Sequence, residues 1–139
     1  MFQVRKIIRF HHCDPAGIVF FPNYLVLCHE VVEEWFDSSA GLGIGFEHFT
    51  KQLGLGTPAV KVTTEYLVPS SYCDELTFEL SVKKLGNSSM TLLIRAQVDG
   101  QERMRTELIL VMAQLQPFKA VRISDDFRAR MLSFMVEDA

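Results

Sequence analysis

The chain has 139 residues, 48% of them hydrophobic and 22% charged, and its 14 basic and 17 acidic side chains leave a net charge of −3. That length points to a single domain over 1–139, and the composition to a packed core rather than a disordered chain. With no run of Lys or Arg to track a phosphate backbone, nucleic acid is excluded as a main partner, and no apolar stretch reaches the roughly 18 residues of a membrane span. Cys13, Cys28 and Cys73 share no metal-type spacing, and the opening MFQVRKIIRF lacks the apolar core of a secretion signal. The expectation is a cytoplasmic protein without cofactor, metal or membrane partner.

Phe2 to Phe10 alternates in part, with Phe2, Val4, Ile8 and Phe10 on one parity and Gln3, Arg5 and Arg9 on the other, and reads as a first strand. The next stretch, Phe10 to Tyr24, is FHHCDPAGIVFFPNY. Asp14 precedes Pro15, which biases its backbone towards the extended region, and Ala16-Gly17 allows a sharp turn that holds the carboxylate at a bend. Pro22-Asn23 reads as a helix entrance, where the N–H that proline lacks would have had no partner. A helix start presents free N–H groups and a partial positive charge, which suits it to a developing anion. Ordinary turn chemistry accounts equally well for Asp-Pro-Ala-Gly. His11, His12, Cys13 and Asp14 are ligand types, but neighbours on a strand face opposite ways and no second pair has zinc spacing, so no metal is expected there.

From Asn23 to Ala40 the period changes. Tyr24, Cys28, Val31, Val32, Trp35 and Ser39 share one face at about 100° per residue, opposite Glu30, Glu33 and Asp37, which predicts one long amphipathic helix. Gly41, Gly43 and Gly45 end it, and Phe46 to Leu53 reads as a short second helix before Gly54 and Gly56. Strand patterns then run from Thr57-Pro58 to Val68, from Glu75 to Leu85, from Ser88 to Val98 and from Glu102 to Leu115, with Gly86-Asn87 and Asp99-Gly100 as hairpin turns. Ser124, Asp125 and Asp126 look like a cap and first-turn acids opening a terminal helix through Phe127, Met131, Leu132 and Phe134. One helix with one apolar stripe, and an antiparallel meander of long strands, are best satisfied by wrapping the sheet around the helix, an α+β architecture.

The run CDPAGIVFFPNY, Cys13 to Tyr24, resembles the signature of the 4-hydroxybenzoyl-CoA thioesterase branch of the hotdog-fold thioesterases. Gly56-Thr57-Pro58-Ala59-Val60 and Tyr72-Cys73-Asp74-Glu75-Leu76 support the resemblance. It implies the hotdog fold, an antiparallel sheet wrapped around one long central helix, with chains paired through a strand edge into a homodimer or homotetramer. It also implies hydrolysis of an aromatic or short- to medium-chain acyl-CoA, with Asp14 as nucleophile or general base and the backbone N–H of Phe21 polarising the carbonyl. Where some members carry a catalytic His seven residues after the Asp, this chain has Phe21. Tyr24, which closes the motif, is a candidate substrate contact. His29 occupies the position of the acid that meets the ring hydroxyl in that branch. The basic cluster that follows the third strand there reads Gly86-Asn87-Ser88-Ser89 here, after Lys83 and Lys84, so Lys83, Asn87, Ser88 and Ser89 are candidates for the CoA phosphates; a plain hairpin turn is the other reading. Thr57 resembles an active-site strand start. Two further classes remain: a catalytically silent acyl-CoA-binding module, and a hydratase or dehydratase, whose His-containing motifs are missing around this helix.

Overall fold

Residues 1–136 are described by a computed structural model of the chain. The helical stripe forms α1, Phe21–Asp37, with Pro22 in its first turn and Tyr24, Leu27, Cys28, Val31, Val32, Trp35 and Phe36 buried. It begins two residues before Asn23 and stops short of Ala40, leaving Ser39 exposed. The cause of the early stop is local. The amides of Leu42 and Ile44 turn back to the carbonyls of Trp35 and Phe36, at 2.7 and 2.8 Å, and fold the chain under the last turn.

The strands are β1 Phe2–Ile7, β2 Leu55–Gly56, β3 Ala59–Tyr66, β4 Glu75–Leu85, β5 Ser89–Val98, β6 Gln101–Val111, β7 Ala113–Leu115 and β8 Phe118–Ala120. Five of them make one antiparallel sheet in the order β1-β4-β5-β6-β3. Alternate side chains such as Phe78, Leu80, Leu92, Ile94 and Met104 are fully buried in one core with α1, so the sheet curls around the helix as the pattern required. The second sheet, β2-β7-β8, closes one end of the core. No helix among the described residues is long and apolar enough to cross a membrane.

Other expected boundaries shift too. The first strand ends at Ile7 and gives way to a 3-10 turn over Phe10–His12. The short second helix is a single π-type turn, His48–Gln52, pinned by buried Phe49. β3 ends at Tyr66 because the amides of Leu67 and Val68 both turn to the Arg103 carbonyl, at 2.9 and 3.2 Å. The strand expected from Glu102 to Leu115 breaks at Met112, whose N–H bonds Ser88 instead, and Ala113 onward joins the second sheet. The terminal helix α2, Asp125–Leu132, is capped as expected by the Ser124 hydroxyl, which accepts from Phe127 N–H at 3.2 Å. Phe134 lies beyond it, with its ring edge-on to Trp35.

Gly41 sits against the main-chain carbonyl of Trp35, and a Cβ there would overlap that oxygen. Backbone cannot yield as a side-chain end does. Gly41→Ala is therefore expected to lower stability by about 1–3 kcal/mol, read as a reduced denaturant midpoint at unchanged slope.

Candidate active site

The stretch between β1 and α1 folds as a small two-stranded ribbon. Asp14 N–H donates to the Ile18 carbonyl at 3.0 Å, Cys13 bridges Val19, and Phe20 N–H reaches the His12 carbonyl at 2.9 Å. The turn between its arms is Asp14-Pro15-Ala16-Gly17, where Gly17 takes φ +82°, a conformation that L side chains rarely adopt. One carboxylate oxygen of Asp14 accepts the Ala16 N–H at 2.9 Å. That contact is the turn chemistry the motif suggested; Asp14 itself is half-buried. Turn architecture and a positioned carboxylate are thus the same arrangement.

The returning arm runs directly into α1. Phe20 is the cap residue and Phe21 the first of the helix, and Pro22 has no N–H to offer. Among the described residues the Phe21 N–H has no acceptor, which leaves the positive end of the helix open beside the ribbon. The Phe21 carbonyl accepts the Tyr66 hydroxyl at 3.2 Å, and the Tyr66 ring also packs against Tyr24. Burial raises the Tyr66 phenol above its ordinary value, which keeps it a donor. The Asn23 amide donates to the His12 carbonyl at 2.8 Å, a second tie between helix start and ribbon. In the sequence Tyr66 reads only as a strand residue; nothing local marks its reach to Phe21.

Tyr24 is buried beneath the helix, and its hydroxyl has no partner among the described residues. His29, two turns along, is exposed and pairs with Glu33 at 3.2 Å. The remaining candidates lie elsewhere. β1 pairs with β4 so that Ile7 meets Glu75, which puts the Asp14 ribbon at the start of β4. The turn Gly86-Asn87-Ser88 follows the far end of the same strand, on the order of 30 Å away at ~3.3 Å per residue. There the Gly86 and Asn87 carbonyls accept from Arg128, and the amides of Ile123 and Met112 bond the carbonyls of Asn87 and Ser88. Lys83 pairs with Glu107 at 2.9 Å. Thr57 precedes β3, whose first residue pairs with Leu110 at that same far end. Within one chain, then, Asp14, Phe21 and Tyr24 are gathered, and Thr57, Lys83, Asn87, Ser88 and Ser89 are held apart from them.

Burial disfavours the thiolate at two of the cysteines. Burial pushes Cys28 up to about 12, and burial followed by the Asp14 charge raises Cys13. His12 is held below its ordinary value, first by burial and then by the adjacent His11, and its Nδ1 accepts the Arg9 N–H at 2.9 Å.

The family model of the thioesterase-like superfamily matches residues 8–131. A 1,4-dihydroxy-2-naphthoyl-CoA hydrolase of Trichodesmium erythraeum is 29% identical over 136 residues, which cover 96% of each chain. Among solved structures, a mutant 4-hydroxybenzoyl-CoA thioesterase in complex with 4-hydroxybenzoyl-CoA superposes with a TM-score of 0.82 at 25% identity, over 94% of this chain and 97% of that one. A thioesterase-superfamily protein of Jannaschia sp. reaches a TM-score of 0.89 at 21% identity, over 98% and 94%.

The lowered basicity of His12 makes folding stability depend on pH. The unfolded chain binds the proton more readily, so this contribution to stability is complete above about 6.5 and is lost as pH falls through that value towards the folded one. Histidine ring signals followed by NMR should show His12 titrating below 6.5, with a falling thermal midpoint over the same range. Titration at or above the ordinary value would contradict a neutral Nδ1 held by Arg9.

Proposed function

The chain belongs to the thioesterase-like superfamily, and from that membership we propose that it hydrolyses a hydroxylated aryl-CoA thioester to the free acid and coenzyme A. The observation that carries this reading is the ribbon itself, which delivers an ionisable carboxylate and an unpaired helix-start N–H from one continuous segment. Asp14 attacks the thioester carbonyl and the C–S bond breaks to release the coenzyme A thiolate, leaving a mixed anhydride that water then opens to the acid and free Asp14; or Asp14 takes a proton from a water that attacks the carbonyl and expels the same thiolate. Both routes place negative charge on the carbonyl oxygen, and the Phe21 N–H is the donor for it. The hydroxyaryl assignment is supported by the acyl groups named for the Trichodesmium relative and for the 25%-identical neighbour. His29, on the exposed face of α1, is the side chain assigned to the ring hydroxyl.

The site is completed by a second copy of the chain. β3 and β1 are the two edges of the five-stranded sheet, and on β3 Val60, Val62 and Tyr66 are exposed, as are Phe21 and Leu25 on the adjoining helix. An apolar free edge of this kind is a template for pairing. Antiparallel pairing of β3 with its symmetry mate sets the start of one strand beside the end of the other. The partner's Thr57 and its Gly86–Ser89 turn then approach this chain's Phe21 and Asp14, which joins the two groups of residues that one chain holds apart. A homodimer is the minimal unit, and a tetramer is a pair of these.

Thiol release from a panel of benzoyl, hydroxybenzoyl, dihydroxynaphthoyl and aliphatic CoA thioesters tests the reaction. The parent should prefer hydroxylated aryl groups, and Asp14→Asn, which keeps shape and removes charge, should lose on the order of a hundredfold or more in turnover. Parental turnover by Asp14→Asn would remove the carboxylate from the chemistry. For the assembly, Val62→Lys, at a position 44% exposed on the free edge, should give monomers by sedimentation together with a matching loss of turnover. A monomeric parent, or a fully active monomeric variant, would refute the shared site.

A further inference from the structure

Arg103, on β6, has a side chain only 13% exposed. Its Nη1 donates to the Pro69 carbonyl, the Ser70 hydroxyl and an Asp74 carboxylate oxygen, each at 3.1 Å. The same Asp74 oxygen accepts the Ser71 N–H at 2.9 Å, and the Arg103 carbonyl accepts the amides of Leu67 and Val68. One residue thus holds both ends of the connection between β3 and β4. That connection is the seat of the Asp14 ribbon: the Ser70 carbonyl accepts the Val19 N–H at 2.9 Å, Ser71 bridges Ile18, and the Asp74 carbonyl accepts the Ile8 N–H at 2.8 Å. Ile18 is the partner of Asp14 across the ribbon, and Val19 leads through Phe20 into the helix start.

We propose that Arg103 and Asp74 form a positioning pair that fixes the Asp14 carboxylate relative to the Phe21 N–H. The pair rests on the proposed role of Asp14. Stability alone is a poor account of it, because a largely desolvated guanidinium repays its burial only with every N–H satisfied, and the Arg103 Nε–H is buried without a partner among the described residues. Geometry is a better account. The guanidinium gathers a carbonyl, a hydroxyl and a carboxylate from three positions of one loop, and that loop is hydrogen-bonded to the ribbon two residues before the helix begins. A displacement of about 1 Å at a reacting group costs on the order of a hundredfold in rate. Arg103 touches neither Asp14 nor the helix start, so its effect passes through the loop and belongs to the chemical step rather than to substrate affinity.

The test is a cycle of Arg103→Met and Asp14→Asn, with Arg103→Lys and Asp74→Asn beside it, measuring kcat, KM and thermal midpoint on the preferred thioester. Arg103→Met should lose about ten- to a hundredfold in kcat at a KM within about twofold of the parent, and Arg103→Lys, which keeps the charge but not the fork, should recover part of it. In the Asp14→Asn background the same change should cost less than about twofold, because residues that act as a unit are not additive. Equal losses in both backgrounds, or parental kcat in Arg103→Met, would overturn the pair while leaving Asp14 in place. Should Arg103→Met fail to fold, Arg103→Lys and Asp74→Asn carry the same cycle, and additivity there overturns it too. Parental turnover by Asp14→Asn removes the catalytic reading and this inference together.

Discussion

Everything at the site depends on how one helical stripe is seated. Trp35 and Phe36 are wholly buried, with Phe36 stacked on Phe49 and Trp35 edge-on to Phe134, so the far end of α1 is fixed by aromatic contacts from two separate segments. Tyr24 and Cys28 bury the near end against the sheet. A helix anchored at both ends cannot slide, and its first N–H is therefore fixed in space relative to the strands. Because α1 opens directly from the ribbon that carries Asp14, the core also sets the reference frame for the carboxylate.

The polar groups around that frame follow a consistent pattern. The Asp14 and Phe20 amides are satisfied within the ribbon and the Val19 amide by the β3–β4 connection, and the hydroxyl of Tyr66 and the amide of Asn23 take up carbonyls next to the helix start. At the helix start the Phe21 N–H has no acceptor among the described residues. An unpaired N–H at a helix terminus is usually solvated; here it stands between exposed aromatic rings, Phe21 itself being 59% exposed. In the proposed dimer those rings are covered, and the donor faces substrate instead of bulk water, where its interaction with a developing anion is strongest.

What was legible in the sequence was what is local. The stripe from Tyr24 to Trp35, the turns at Gly86-Asn87 and Asp99-Gly100, and the Ser124 cap depend on residues within a few positions of one another, and each formed where its pattern stood. The Asp-Pro-Ala-Gly bend was legible for the same reason, and resemblance supplied its chemistry. What was not legible depends on partners far along the chain. Tyr66 reaches Phe21 across 45 positions and Arg103 reaches Asp74 across 29, and neither leaves a periodicity or a turn signal. The break at Met112 is of this kind: the residues continue to look like strand, and only the competing carbonyl of Ser88 diverts them into a second sheet. Ser39 failed differently. It lies beyond the helix and is exposed, because the returning chain at Leu42 and Ile44 ends α1 at Asp37.

The length of the sheet explains why the candidate residues fall into two groups. β4 runs 11 residues from Glu75, beside the ribbon, to Leu85, before the turn that Arg128 holds, with one register shift between Val82 and Lys84. A strand of that length is a rigid spacer, and no rearrangement short of unfolding brings its ends together. A thioester substrate, by contrast, has a compact acyl group joined by a long arm to a charged nucleotide. An acyl site and a nucleotide site at opposite ends of one chain are incompatible with a single bound molecule unless the far end comes from another copy. In the proposed dimer, antiparallel association at β3, one of the two edge strands, supplies that end. The long strands that bury α1 so fully are thus also what makes a lone chain incomplete for the proposed reaction.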